Sequence, residues 1–142
     1  MATHAPIHHA EAARIQAVLD RFLADASCAA TALIDRGGHS LAVAGTAQAY
    51  DVESIAALAA EAFGSTAPLA RLLGQTEFSV LIHEGAKESL HVSTVDDGSI
   101  LLAIFDERTT VGMVRVFARE AGKKIGAILA EGRSRVIPRR RP

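Results

Sequence analysis

The stretch LIHEGAKESLHV, residues 81–92, brings together two histidines (His83, His91), two carboxylates (Glu84, Glu88) and Lys87 around one glycine. Those residue types support acid–base chemistry, or a metal centre if both imidazoles and a carboxylate converge within ligand distance. Strand geometry decides between such a site and a plain polar hairpin. With a three-residue loop at 84–86, Ile82 faces Glu88, Val80 faces Leu90 and Phe78 faces Val92, so the apolar positions of both strands share one side. Leu81, His83, Lys87, Ser89 and His91 then share the other side, Glu84 sits in the turn and Glu88 points away. That arrangement keeps the carboxylates from the histidines, and the segment reads as a polar hairpin.

Other chemistry is equally thin. THAPIHH (3–9) offers His4, His8 and His9 on a flexible N-terminus, which is not a preorganised metal site. The single Cys28 excludes an internal disulfide and a multi-cysteine zinc site, and reads as a small buried residue at a strand start. Neither G-x-x-x-x-G-K-[ST] nor G-x-G-x-x-G after a strand occurs, and Gly37-Gly38 leads into a strand, so it offers no helix N-terminus to phosphate. A G-x-S-x-G elbow is also lacking. The reading is of a chain with no catalytic, cofactor-binding or metal site of its own, which points to a binding or regulatory module.

The elements that carry these residues follow from apolar periodicity. Residues 10–26 place Ala12, Ile15, Val18, Leu19 and Phe22 at helical spacing. Residues 29–45 read as a β-hairpin turning on Gly37 and Gly38. A second helix is expected over 51–73, capped by Asp51 and stopped at Gly74, with Ile55, Leu58, Ala59, Ala62, Leu69 and Leu73 as its core stripe. Pro68 cannot donate to the Gly64 carbonyl, so a kink or break is expected around 64–68 unless packing straightens it. Three strands follow: Phe78, Val80 and Ile82 alternate, Leu90, Val92 and Thr94 alternate, and 99–106 is a continuous apolar run turning in at Asp97-Gly98. A last helix spans 111–132. The order α-β-β-α-β-β-β-α, with tight turns, implies an α+β (α/β) sandwich: one five-stranded antiparallel sheet with helices on both faces.

At 142 residues the chain is one domain, divided as a flexible N-terminus (1–9), a folded body (10–132) and a basic C-terminal tail (133–142). The net charge of −1 hides an asymmetry: the tail holds five of fifteen basic residues and no acid, which leaves the body near −6. An acidic body argues against a nucleic-acid-binding domain. No apolar run approaches the ~20 residues of a membrane span, and no basic n-region opens a signal peptide, so a cytoplasmic protein is expected.

One helix face remains unexplained by chemistry. Ala57, Ala60, Glu61, Gly64, Pro68 and Arg71 recur at three- and four-residue spacing opposite the leucine stripe. Small residues there let another backbone approach, which makes the face a candidate protein-docking surface; the plainer reading is an Ala-rich helix in an Ala-rich protein.

The element order, with ALIDRGGHSLAVAG as first hairpin, IAALAAEAFGSTAPLARLLG as middle helix and LLAIFDERTTVGMVRVFAREAGKKI as last strand and helix, resembles the Roadblock/dynein light chain superfamily. EFSVLIHEGAKESLHV and IFDERTTVGMVRV are similar to its bacterial MglB-type members, partners of the Ras-like polarity GTPase MglA, and the resemblance covers about residues 10–132. It implies the Roadblock fold and a cytoplasmic homodimer formed through the second helix and third strand. It also implies binding of a small Ras-like GTPase of MglA type and stimulation of its GTP hydrolysis in cell polarity and motility, at a cell pole reached through partners. The resemblance further implies activation without an inserted arginine finger, the catalytic residues staying on the GTPase. Carried onto this sequence, the GTPase-binding face falls on Ala57, Ala60, Glu61, Gly64, Pro68 and Arg71. Two departures stand out: Pro68 itself, and a C-terminal extension shortened to RSRVIPRRRP. The alternatives are a non-catalytic Roadblock scaffold that tethers a GTPase without changing its rate, and a small-molecule or metal module on His83 and His91.

Overall fold

The structure, a computed structural model, describes residues 9–95 and 98–136. His4, His8, Asp97 and the arginines at 139–141 lie outside the described residues. The elements are α1 (His9–Ala26), β1 (Ala30–Ile34), β2 (Ser40–Gly45), α2 (Val52–Leu72), β3 (Val80–His83), β4 (Glu88–Thr94), β5 (Ile100–Asp106) and α3 (Val111–Val136), with a 3₁₀ turn at Ala47–Ala49. The strands form one antiparallel sheet in the order β2-β1-β5-β4-β3. This is the five-stranded, helix-covered architecture implied by the sequence. The central strand β5 is apolar up to Asp106, and its neighbour β1, apolar except for Thr31, is buried along its whole length.

The two faces of the sheet are covered unequally. On one, α1 and α3 bury Ile15, Leu19, Phe22, Val114, Ala118, Ala121 and Ile125 against Leu33, Leu101, Ala103 and Phe105. Thr110 starts α3 by accepting from the Met113 amide (3.2 Å), and the helix runs on to Val136, four residues into the stretch expected as tail. On the other face α2 lies alone.

Helix α2 is turned differently from the expected stripe. It buries Ala56, Ala59, Ala60 and Phe63 against Ala32, Ile34, Val92, Ile100 and Leu102, and Ala70 is buried further along, while Leu58, Leu69, Leu72 and Leu73 are 55–84% exposed. Alanine side chains bring the helix axis close to the sheet, and Phe63 fills the remaining gap. The leucines, larger and out of phase with that row, are left outside. The helix also runs unbroken through Pro68, contrary to the expected break. Thr66 Oγ1 donates back to the carbonyls of Ala62 (3.2 Å) and Phe63 (3.1 Å), and Ser65 Oγ to Ala62 (3.0 Å), which holds the turn preceding the proline.

The β3–β4 hairpin departs from the expected register. The loop has four residues (84–87), and Val80 pairs with Ser93, Leu81 with Val92, Ile82 with His91 and His83 with Leu90. Relative to the expected pairing this is a slip of three, and an odd slip exchanges the faces of one strand. Val80, Leu81 and Ile82 are consecutive apolar residues, so alternation alone did not fix which of them faces α2; the structure puts Leu81 there, beside Leu90 and Val92. Gly85 permits the loop, since a Cβ there would lie 2.3 Å from the Glu88 carbonyl oxygen.

The β1–β2 turn positions α2 from the side. Gly38, at φ +86°, closes the turn by donating to the Asp35 carbonyl (3.0 Å). A Cβ on it would stand 2.6 Å from Ala57 Cα. Gly38→Ala therefore strains both the turn and the α2 contact, and is expected to lower unfolding stability by about 1–3 kcal/mol. Urea unfolding checks this; an unchanged midpoint would show that the turn does not press on α2.

Candidate functional site

Four local devices fix where the outer face of α2 points. Asp51 caps its start, accepting from the Ser54 amide (3.2 Å) and hydroxyl (2.6 Å), and these bonds hold the Asp51 carboxyl below the usual carboxylate range. The alanine row seats it on the sheet. At its end Gly74 takes φ +81° while Gln75 donates to the Ala70 carbonyl (2.9 Å), so the chain reverses toward β3. Arg36 then ties three segments together. Its guanidinium forks onto Glu77 (2.7 and 2.8 Å), just before β3, and its Nε donates to the Gly98 carbonyl at the β4–β5 turn.

The exposed surface of α2 consists of two adjacent stripes. One carries Ala57, Glu61, Gly64, Pro68 and Arg71, all exposed, at spacings of four and three. Next to it run Leu58, Leu69 and Leu72, with Leu73 beyond the helix end. A Cβ on Gly64 would meet nothing within 4 Å, so this stripe is open to an approaching chain. Of the six residues expected on the docking face, the structure brings five together and removes Ala60. That residue is buried in the core under α2, because the alanine row needs a small residue at this phase. The sequence reading places the leucine stripe in the core, and the alanine row one position away was the signal for the opposite orientation.

The opening cluster disperses, for a reason other than the expected one. The register slip puts His91 on the α3 side with Val80 and Ser93, and His83 on the α2 side with Leu81 and Leu90. The histidines thus lie on opposite faces of the sheet, and Glu88 shares the His83 side, where it accepts from the Tyr50 hydroxyl. Among the described residues no group of three metal-ligating side chains converges. Cys28 is buried in the α1–α3 core, and burial pushes its thiol up to about 11, with Asp106 adding to the shift, so it is a poor nucleophile at neutral pH. Among the described residues no helix is long and apolar enough to cross a membrane.

What these surfaces belong to is decided by comparison. The Roadblock/LC7 domain model matches residues 14–105. The chain belongs to the Roadblock/LC7 family. Among solved Roadblock structures, Myxococcus xanthus MglB is 36% identical, with 83% of this chain and 96% of that chain covered and a TM-score of 0.78. The gliding protein MglB of Thermus thermophilus is 27% identical over 92% of this chain and 99% of that chain, with a TM-score of 0.85. Acanthamoeba castellanii profilin II, 15% identical with a TM-score of 0.57 and covering 82% of this chain and 98% of that one, shares the fold alone. By sequence, no curated protein matches the chain. The two MglB structures are thus similar to this Roadblock chain over nearly their whole length.

The Arg36–Glu77 fork is testable through pH. The hydrogen bonds from Arg36 hold the Glu77 carboxyl below the ordinary value of 4.5. A depressed carboxylate contributes stability that is present above its unfolded pKa and lost as pH falls through the folded one. Glu77→Gln is expected to cost on the order of 1 kcal/mol at pH 7, with the difference from wild type closing below about pH 4. Urea unfolding at pH 7 and pH 3.5 reads this, and an undiminished difference at the lower pH would contradict it.

Proposed function

We propose that this chain is a homodimeric regulator that binds a small Ras-like GTPase of the MglA type and stimulates its GTP hydrolysis without inserting an arginine finger. The observation that carries the reading is the similarity to MglB, 36% identical over 96% of that chain. It is joined by an α2 surface with two different stripes and by the lack of any converging catalytic group among the described residues. In this reading the chain is not an enzyme: the reacting groups lie on the GTPase, and binding energy from this surface stabilises their aligned arrangement.

The division of labour follows from the stripes. Leu58, Leu69 and Leu72, together with the β3 edge, suit a second copy of the chain, since pairing two β3 strands about a two-fold axis would extend the sheet and bury the leucines. Ala57, Glu61, Gly64, Pro68 and Arg71 then form the GTPase-facing platform, one copy beside the other. Small side chains admit close backbone approach, while Glu61 and Arg71 supply opposite charges at its rim.

Each assignment has its own experiment. Leu69→Asp removes about 2 kcal/mol of apolar burial per copy, and twice that per dimer, so its dimer dissociation constant is expected to rise roughly 1,000-fold. Sedimentation equilibrium reads this, and an unchanged association would remove the leucine stripe from the self-interface. Added to the cognate GTPase, the wild-type protein is expected to accelerate single-turnover GTP hydrolysis while hydrolysing none alone. Binding with unchanged turnover would instead make it a scaffold. Gly64→Arg, placed in open space, is expected to leave the fold and dimer intact and weaken GTPase binding about 100-fold; retained affinity would move the platform elsewhere.

A further inference from the structure

The face covered by α1 and α3 carries a feature that the GTPase reading does not use. Five strands at about 4.8 Å span roughly 24 Å, whereas two helices of about 10 Å diameter cover roughly 20 Å. The uncovered strip lies between α3 and the β3–β4 edge and forms a groove of about 520 Å³. Its lining includes Val80, Ser93 and Val95 on the sheet side and one side of α3. That volume is in the range of small-molecule sites.

Two observations define what would fit. First, His91 lines the groove from the sheet, 1% exposed, with neither ring nitrogen hydrogen-bonded. A buried, unpartnered imidazole nitrogen carries a desolvation cost that a ligand able to bond it would relieve. Second, Arg115, Arg119 and Lys123 line the opposite wall, one per helical turn. All three are exposed, and among the described residues the groove lining contains no acid. No ion pair to any of the three is seen among the described residues, whereas the neighbouring Lys124 is neutralised by Glu120 (3.4 Å). Like charges at four-residue spacing repel, so the row is mildly unfavourable on its own and favourable with an anion. Eight residues of helix spread the three cations over about 12 Å, more than one phosphate spans. Guanidinium forks and an ammonium suit phosphate oxygens.

We propose that the groove between α3 and the β3–β4 hairpin binds a small molecule carrying a chain of two or more phosphates, with Arg115, Arg119 and Lys123 on the phosphates and His91 bonded to the end that enters deepest. The apolar residues Val80 and Val95 receive its non-phosphate part. The site lies on the sheet face opposite α2, so it does not rest on the GTPase reading and stands or falls separately from it.

The test uses the full chain and inorganic tripolyphosphate. Calorimetry at fixed ionic strength is expected to give saturable binding, one per chain, at least tenfold tighter than for orthophosphate. The Arg119→Ala/Lys123→Ala variant, altered only at exposed positions, is expected to lose at least tenfold in affinity while unfolding at the same urea concentration. Burial, followed by the neighbouring Arg115, lowers His91 to about 4, and saturating tripolyphosphate is expected to move its NMR titration upward by about a unit or more, as a nearby anion favours the imidazolium. Absence of saturable binding, unchanged affinity in the double variant, or unmoved His91 resonances would overturn the proposal. So would a hexaglutamate peptide binding as tightly as tripolyphosphate, which would make the groove a dock for acidic protein segments. Binding to phosphatidylglycerol vesicles without binding to tripolyphosphate would likewise overturn it in favour of a lipid surface.

Discussion

The contact on which the rest of the molecule depends is the alanine-mediated seating of α2 on the sheet. Ala56, Ala59 and Ala60 let the helix lie close over Ala32, Ile34 and Leu102, and a close helix buries only a narrow strip of itself. Leu58, Leu69 and Leu72 are consequently turned outward, while Phe63 and part of Ile55 pack inward. One helix about 10 Å across over a sheet of roughly 24 Å cannot enclose its face. The apolar surface left over is neither a packing fault nor an isolated leucine, but a continuous stripe on a helix whose ends are both firmly fixed.

Under the proposed function the chain acts through a surface, with the reacting groups on its partner. A docking surface is effective when it is rigid before its partner arrives, since ordering costs then fall away from the binding free energy. The Asp51 cap, the Gly74 reversal, the Gly38–Ala57 contact and the Arg36 fork each fix α2 from a different direction. The Arg36 fork is the most economical of these, because one guanidinium joins the β1–β2 turn, the entry to β3 and the β4–β5 turn.

Much of the fold was legible in the sequence, and the failures were of one kind. Element order, the Asp51 cap, the Gly74 stop and the central position of 100–106 all follow from local signals: capping chemistry, positive-φ glycines and an uninterrupted apolar run. What could not be read was orientation. In α2 two apolar rows compete, and the larger side chains suggested burial when the smaller ones permit closer approach. In β3 three consecutive apolar residues carry no alternation, so the register was settled by the longer loop around Gly85 and by Leu81 packing under α2. Five of the six residues expected on the docking face are exposed because they lie on the flank of the helix, and only Ala60 sat close enough to the sheet to be buried. The separation of His83 from His91 followed from the same slip of register.

Pro68 gives the exposed flank of α2 a property that its composition conceals. Lacking an amide hydrogen, it leaves the Gly64 carbonyl without the donor that every interior turn of a helix normally supplies. The adjacent hydroxyls of Ser65 and Thr66 are taken up by the carbonyls of Ala62 and Phe63. Any chain that lies along this stripe therefore meets, between the charged side chains of Glu61 and Arg71, a backbone acceptor held in a fixed place. Sliding by one turn would forfeit that bond while keeping the same small-residue contacts. A position that weakens the helix internally thus supplies a vernier mark, against which a partner's register along the helix can be set.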